Sequence, residues 1–173
     1  DELKKIEHLP TIMSAHHLHI VDRHSNSIEG FKKLCEEQIQ KNGIQVIIVD
    51  YLQLLSMNRF KYNRDMEIGQ ISRMLKTLAR ENNICLIVSS QLSRSVEQRG
   101  GERRPILSDL RESGSIEQDA DLVLMLFREN YYNFKKEQED LAEIIVAKHR
   151  NGPIGTIQLK FDDEFIKFSN SNC

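Results

Sequence analysis

Apolar residues fall along this chain in two rhythms. Ile28, Phe31, Leu34, Cys35 and Ile39 recur at intervals of three and four, which predicts an amphipathic helix. Asn26 or Ser27 can cap its start, and Gly43 suits its end. A second helix is predicted from Arg64 to Glu81, where Ile68, Ile71, Leu75, Leu78 and Ala79 repeat at helical spacing and Asn82–Asn83 stop the run. Elsewhere the rhythm changes to short uninterrupted runs: VIIV at 46–49, ICLIVS at 84–89 and LVLMLF at 122–127. VIIV, made only of β-branched residues, is the pattern of a strand buried on both faces, ICLIVS predicts a second buried strand, and LVLMLF a further strand. Leu18–Val21 predicts a brief strand, and residues 2–9 a short helix stopped by Pro10. Helices alternating with strands predict parallel βαβ units in a doubly wound α/β sheet. Residues 142–168 read as a strand, a turn containing Gly152, Pro153 and Gly155, and further alternating strands. That pattern predicts an antiparallel extension of the parallel sheet. The polar stretches 56–64 and 129–140 predict surface excursions.

Composition narrows the class without choosing a function. With 173 residues, 39% hydrophobic and 29% charged, the chain reads as one ordinary soluble globular domain. Its net charge of −2 provides no overall positive field, so any nucleic-acid contact must come from local clusters. Cys35, Cys85 and Cys173 stand singly, which fits a reducing compartment, and the apolar setting of Cys85 predicts a buried thiol. The longest strictly apolar run, 122–127, is far shorter than the roughly 18–20 residues that span a bilayer. No signal-peptide pattern is visible at the N-terminus.

The candidate chemistry sits where the apolar runs stop. VIIV ends on Asp50, and a carboxylate at the C-terminal end of a buried parallel strand faces the crevice in which open α/β sheets place ligands. Asp50 reads either as a strand-end or helix-capping aspartate or as the Walker B carboxylate that helps hold Mg²⁺ beside nucleotide phosphates. ICLIVS is followed by Gln91, which either satisfies backbone groups or, since an amide donates and accepts at once, senses a γ-phosphate. Arg94, Arg99, Arg103 and Arg104 surround Gly100–Gly101 and predict a mobile basic loop. In SDLRESGSIEQDAD (108–121) carboxylates crowd around one arginine, with Ser108 able to cap a short helix that Gly114 breaks. Lys148, His149 and Arg150 stand at the mouth of the C-terminal hairpin, a basic triplet that gains meaning only if an anion arrives from outside. HHLH at 16–19 lacks a Cys or carboxylate partner at ligand spacing, so a solvated segment entering a strand is preferred to a metal site.

Four motifs in register carry a family resemblance. VIIVDYLQLL, SSQLSRSVEQR, SDLRESGSIEQDADLVLMLFR and IIVAKHRNGPIGTIQLKFD resemble, in that order, the RecA-type ATPase domain of the replicative DNA helicases of the DnaB family. The resemblance covers nearly all of residues 1–168 and is most specific from residue 44 onward. It implies a RecA-like P-loop NTPase core, with a mostly parallel sheet flanked by helices and an antiparallel C-terminal extension. It further implies a homo-hexameric ring that encircles single-stranded DNA, uses ATP and Mg²⁺, and works with a primase and a helicase loader. A bacterial cytoplasm, or a plastid stroma for an organelle-encoded chain, would be its place. By the resemblance, Asp50 acts on Mg²⁺ through water and Gln91 couples the γ-phosphate to the DNA-facing loops. Arg111, Glu112 and Gly114 resemble the loop on the single-stranded DNA backbone, with Arg94 a further contact. Lys148 and Arg150 match the lysine and arginine finger that reach a neighbouring subunit's site.

One departure limits what the resemblance implies. The family opens this domain with a glycine-rich phosphate loop, followed by a strand bearing the glutamate that activates water. No such loop, with its closing Gly-Lys-Ser or Gly-Lys-Thr, occurs in the 173 residues, and the eight glycines do not cluster suitably. The expectation is therefore that residues 1–173 form the C-terminal part of a RecA-like helicase ATPase domain and are inactive alone. Two alternatives stand beside it. One is a non-hydrolytic single-stranded-DNA-binding or ring-interaction module. The other is a different RecA-fold ATPase, such as a recombinase or a circadian-clock kinase relative, against which SDLRESGSIEQDAD and AKHRNGP argue.

Overall fold

The computed structural model describes residues 17–22, 26–57, 63–100, 103–110, 114–132 and 141–171. Helix α1 spans Ile28–Asn42. Ser27 caps it by accepting from Gly30 N–H, and Gly43 closes it in the left-handed region at φ 64°. Strand β1 is Val46–Val49. Helix α2 spans Arg64–Glu81, capped by Asn63, whose side chain accepts from Met66 N–H at 3.0 Å. Strand β2, Cys85–Val88, pairs with β1 in parallel, with Val46 opposite Cys85 and Val49 opposite Val88. The core lies between one face of this pair and the two helices. Ile28, Phe31 and Cys35 of α1 meet Ile68, Ile71, Leu75 and Leu78 of α2 over Val49, with Leu52 and Leu55 from the intervening turn. Burial among these groups pushes the Cys35 thiol up to about 11, so it stays protonated at neutral pH.

The second half of the chain is an antiparallel meander. Strands β3 (Leu122–Arg128), β4 (Leu141–His149), β5 (Gly155–Asp162) and β6 (Lys167–Asn170) follow one another in sheet order. The antiparallel strands expected in this part of the chain are present, but among the described residues they form a sheet of their own with no ladder to the parallel pair, and they outnumber its strands. Hairpins need only a turn between neighbours, whereas the parallel pair consumes a helix for its crossover. Three short helices complete the described fold: α3 (Ser95–Gln98), α4 (Gly114–Asp119) and α5 (Glu129–Tyr132). Helix α4 packs on α2 so closely that a Cβ on Gly69 would lie 2.6 Å from Ser115 Oγ.

Several local expectations are corrected. Strand β1 is covered on one face only: Ile47 and Val49 turn toward the helices, while Val46 and Ile48 are 51% and 69% exposed. Parallel register puts Cys85 and Ile87 on that same open face, so Cys85 is exposed rather than buried. Leu18–Val21 forms no strand: it has no ladder partner among the described residues, and Leu18, Ile20 and Val21 are exposed. Gly114 begins α4 instead of breaking a helix, and Ser108 lies inside a single 3₁₀ turn, Leu107–Asp109. That turn is fixed by the buried Asp109 carboxylate, which accepts from Ile106 N–H at 2.8 Å and pairs with Arg99. The 2–9 helix lies outside the described residues. His17 and His19 are exposed, and no grouping of metal-ligating side chains occurs among the described residues.

The basic segment after β2 is tied down at its far end. Arg104 forms two hydrogen bonds to Glu143 on β4, at 2.7 and 2.8 Å, and its guanidinium lies 5.2 Å from the centre of the Phe127 ring. The hydrogen bonds from Arg104 hold the Glu143 carboxyl below its ordinary value of 4.5. A carboxylate with a depressed folded-state pKa contributes stability above its unfolded value, and that contribution is lost as the pH falls through the folded one. Glu143→Gln should therefore cost about 1–3 kcal/mol at neutral pH, by leaving the guanidinium without its charged partner. In urea unfolding the gap between variant and parent should shrink as the pH is lowered below 4.5. An undiminished gap at about pH 3 would show that an ionised Glu143 is not its source.

Candidate functional site

The ends of β1 and β2 are bound to each other beyond the ladder. Ser89 Oγ donates to Asp50 Oδ1 at 2.7 Å, and Ser89 N–H donates to Val49 O at 3.0 Å. The Asp50–Tyr51 peptide is cis. The chain then turns back through a 3₁₀ turn, Leu52–Leu54, whose Leu52 N–H donates to Ser89 O at 2.9 Å. Gln53 stitches the turn to the end of β2: Nε2 donates to Ser90 Oγ at 3.0 Å, and Oε1 accepts from Gln91 N–H at 3.3 Å. Asp50 and Gln91 are both exposed on this edge.

The turn is itself anchored from below. Arg64, at the start of α2, donates to Gln53 O at 2.7 Å and Leu55 O at 3.1 Å, and pairs with buried Glu67 at 2.6 Å. Glu67 also accepts from Met57 N–H at 2.6 Å. Ser89, Gln53 and Arg64 are positioning residues that the sequence did not disclose. Ser89 lies 39 residues from the carboxylate it serves, and no local pattern links such a pair.

Asp50 has one hydrogen-bond partner among the described residues, a neutral hydroxyl. An exposed carboxylate of this kind fits Mg²⁺, which takes one or two protein carboxylates and completes its shell with phosphate oxygens and water. Arg94, the exposed residue before α3, makes no side-chain hydrogen bond or ion pair among the described residues, and its carbonyl accepts from Glu97 N–H at 3.1 Å. Arg111 and Glu112 lie outside the described residues. Gly114 is exposed at the first position of α4, with open space where a Cβ would stand.

The second cluster gathers at the end of β4. Lys148 Nζ donates to Glu117 O and, at 3.4 Å, to Gln118 O, so it binds the last carbonyls of α4. A cation at a helix C-terminus meets carbonyls that have no intrahelical partner. Arg150 continues the β3–β4 ladder, its N–H donating to Asp121 O at 2.8 Å. Its Nη2 donates to Gln118 O at 3.0 Å, and its Nη1 lies 3.4 Å from Asp121 Oδ1. The acidic partner is therefore Asp121. Asp121 is shared with Lys76 of α2, whose hydrogen bond is the main cause of its lowered carboxyl pKa, with Arg150 and Lys148 adding to it. His149 turns its ring over the hairpin, into the space that a Cβ on Gly152 would take.

The predicted residues thus assemble in two places, Asp50 with Gln91 and Lys148 with Arg150. Among the described residues no hydrogen bond or ion pair joins one place to the other.

Known proteins share this arrangement of elements. The family model described as DnaB-like helicase C terminal domain matches residues 1–170. The chain is 50% identical over 154 residues to the "Replicative DNA helicase DnaB" of Geobacillus stearothermophilus, covering 88% of this chain and 34% of that protein. It is 58% identical over 141 residues to a "Probable replicative DNA helicase" of Trieres chinensis, covering 79% and 30%. It therefore spans about a third of the length of these relatives. A solved structure of a DnaB-like replicative helicase and its interactions with primase superposes with a TM-score of 0.89 at 40% identity, over 99% of this chain and 42% of that one. A second solved structure, of an ATPase domain, matches with a TM-score of 0.77 at 44% identity, over 84% and 52%. No helix among the described residues is long and apolar enough to cross a membrane. With the family model matching residues 1–170 and relatives near half identity, this chain belongs to the family of DnaB-like helicase C-terminal domains.

Proposed function

We propose that these 173 residues are the C-terminal part of the RecA-like motor domain of a hexameric replicative helicase, which couples ATP hydrolysis to movement along single-stranded DNA and to duplex unwinding. The observation that carries this reading is the division of the site into two half-sites on one chain. Asp50 and Gln91 share the edge of the parallel pair, while Lys148 and Arg150 stand at the end of β4 with no bond to the first edge among the described residues. Such halves are completed when the basic end of one copy meets the nucleotide edge of the next.

In this mechanism Asp50 would hold Mg²⁺, and Ser89 fixes the carboxylate's orientation. When bound, the ion neutralises charge on the β- and γ-phosphates. Gln91, whose backbone is tied to Gln53, turns its amide to the γ-phosphate and reports its presence to the segment that follows. Arg150 and Lys148 enter the neighbouring copy's site and stabilise charge that develops on the transferred phosphoryl group. Hydrolysis then depends on assembly. Arg111, Glu112 and Gly114 contact the DNA backbone at the ring centre, with Arg94 beside them. The phosphate loop and the water-activating glutamate come from polypeptide other than these 173 residues. Primase and a helicase loader are the further partners, in a bacterial cytoplasm or a plastid stroma. The resemblance of the four motifs and the family membership support this assignment of roles.

The 173-residue chain alone is expected to show no Mg²⁺-dependent ATPase. Robust turnover that Asp50→Asn abolishes would show that the chain holds a complete site. In the full-length ring, Arg111→Ala should weaken single-stranded DNA binding by about 1–3 kcal/mol and slightly flatten its salt dependence, with ATP binding near normal. Unchanged affinity and salt slope would take Arg111 out of the DNA site. The decisive test concerns Arg150. If it only pairs with Asp121 at the surface, Arg150→Ala should cost about 0–1 kcal/mol of stability and leave hydrolysis intact. As a finger in trans, its loss should leave assembly intact and lower hydrolysis about 10³-fold or more. Mixing subunits that lack Arg150 with subunits that lack the phosphate loop but keep Arg150 should restore ATPase at the mixed interfaces. Failure at every ratio, with mixed rings demonstrably present, would place Arg150 outside the neighbour's site.

A further inference from the structure

Arg150 is held by a short stretch of chain. Its backbone N–H, Nη2 and Nη1 meet Asp121 O at 2.8 Å, Gln118 O at 3.0 Å and Asp121 Oδ1 at 3.4 Å. Three contacts from residues 118–121 define both where the strand ends and which way the guanidinium leaves it. An arginine side chain otherwise samples many rotamers, and fixing one in advance removes that cost from the step in which it acts.

The carboxylate that does this is itself placed by α2. Gly69, Ser72 and Lys76 lie at intervals of three and four, so they share one stripe of that helix. Each meets the α4 segment in turn: Gly69 leaves room for Ser115, Ser72 Oγ donates to Asp119 Oδ2 at 2.9 Å, and Lys76 pairs with Asp121. Another stripe of α2 forms the core through Ile68, Ile71, Leu75 and Leu78. Asp121 is therefore tied through Lys76 to a helix anchored in the core, and Arg150 is tied to Asp121.

We propose that Asp121 is a positioning residue for Arg150, aiming the guanidinium at the phosphates of the neighbouring subunit while Lys76 keeps the carboxylate in place. This inference rests on the reading of Arg150 as a group that acts across the subunit interface. Asp121 touches neither nucleotide nor the reacting atoms and acts only through Arg150. Its removal should misalign a group that works in the transition state and leave ground-state binding of ATP alone.

The test is a double-mutant cycle in the full-length assembled protein with single-stranded DNA present. Asp121→Asn, which keeps the shape and removes the charge, should lower kcat about tenfold with KM for MgATP unchanged within about twofold. In the background of Arg150→Ala the same substitution should cost no more than about twofold further, because the group it positions is gone. Should Asp121→Asn rings fail to assemble, Asp121→Glu is carried through the same cycle. It keeps a negative charge for Lys76 but moves the carboxylate by one methylene, and its loss of kcat should also vanish without Arg150. A loss that persists undiminished in the Arg150→Ala background would overturn the proposal, since the effect would then be structural. A rise in KM at constant kcat, or an unchanged kcat, would overturn it as well. Arg150→Ala with undiminished hydrolysis would remove the finger reading and this inference together. An Asp121 failure with a catalytically essential Arg150 removes this inference alone.

Discussion

Parallel pairing of β1 with β2 obliges the chain to travel back along the sheet between them, and α2 is the element that does so. Both halves of the site are placed relative to that helix. Its apolar stripe buries Ile68 and Ile71 completely against α1 and the sheet. Its first turn sends Arg64 up to the carbonyls of the turn after β1, and so fixes the backbone beside Asp50. A further stripe receives α4 through Gly69, Ser72 and Lys76. One helix thus forms the core, braces one half-site and carries the support of the other. Glycine matters at position 69 because a Cβ there would press on the Ser115 side chain of α4, which would have to shift.

The charged groups that the fold buries serve to fix loops. Glu67 and Asp109 are the buried carboxylates among the described residues, and each accepts from backbone N–H as well as from an arginine. A buried carboxylate without such partners would carry several kcal/mol of desolvation cost. Glu67 with Arg64 holds the turn after β1, and Asp109 with Arg99 holds the 3₁₀ turn ahead of α4. Glu143, which is only partly buried, pairs with Arg104 without a backbone donor. The basic residues expected to form a mobile loop therefore divide by role. Arg99 and Arg104 are structural, while Arg94 stays exposed.

Local periodicity and caps were legible in the sequence because their physics is local. The intervals of three and four in α1 and α2, Ser27 and Gly43 at the ends of α1, and the alternating C-terminal strands are decided by residues within a few positions of one another. Asp50 and Gln91 were legible because a run of β-branched residues must end somewhere, and in a parallel sheet the ends line up. What depended on distant partners was not legible. VIIV does not say that only one of its faces is covered, since that depends on which helices pack there. Cys85 followed the same error, because parallel register puts it beside exposed Val46. Leu18–Val21 has strand composition but no neighbour to pair with among the described residues. Nothing local to Arg150 named its acidic partner, which is Asp121, just ahead of the strand that pairs with β4.

The two aspartates show how similar groups acquire different work from their surroundings. Asp50 is bonded to a neutral hydroxyl, so its charge is not compensated within the described fold and remains available to a cation. Asp121 faces Lys76 and Arg150 directly, with Lys148 near enough to lower its pKa further. Around Asp121 cations outnumber the carboxylate, and Lys148 is satisfied by uncharged carbonyls that leave its charge in place. The guanidinium of Arg150 is thus held in place while its side chain stays half exposed. A nucleotide is anionic and reaches a protein with a divalent cation attached. It needs a carboxylate on the metal side and an oriented guanidinium on the phosphoryl side. Among the described residues Asp50 and Arg150 are not bonded to each other, so on the proposed reading neither would neutralise the other before a substrate arrives.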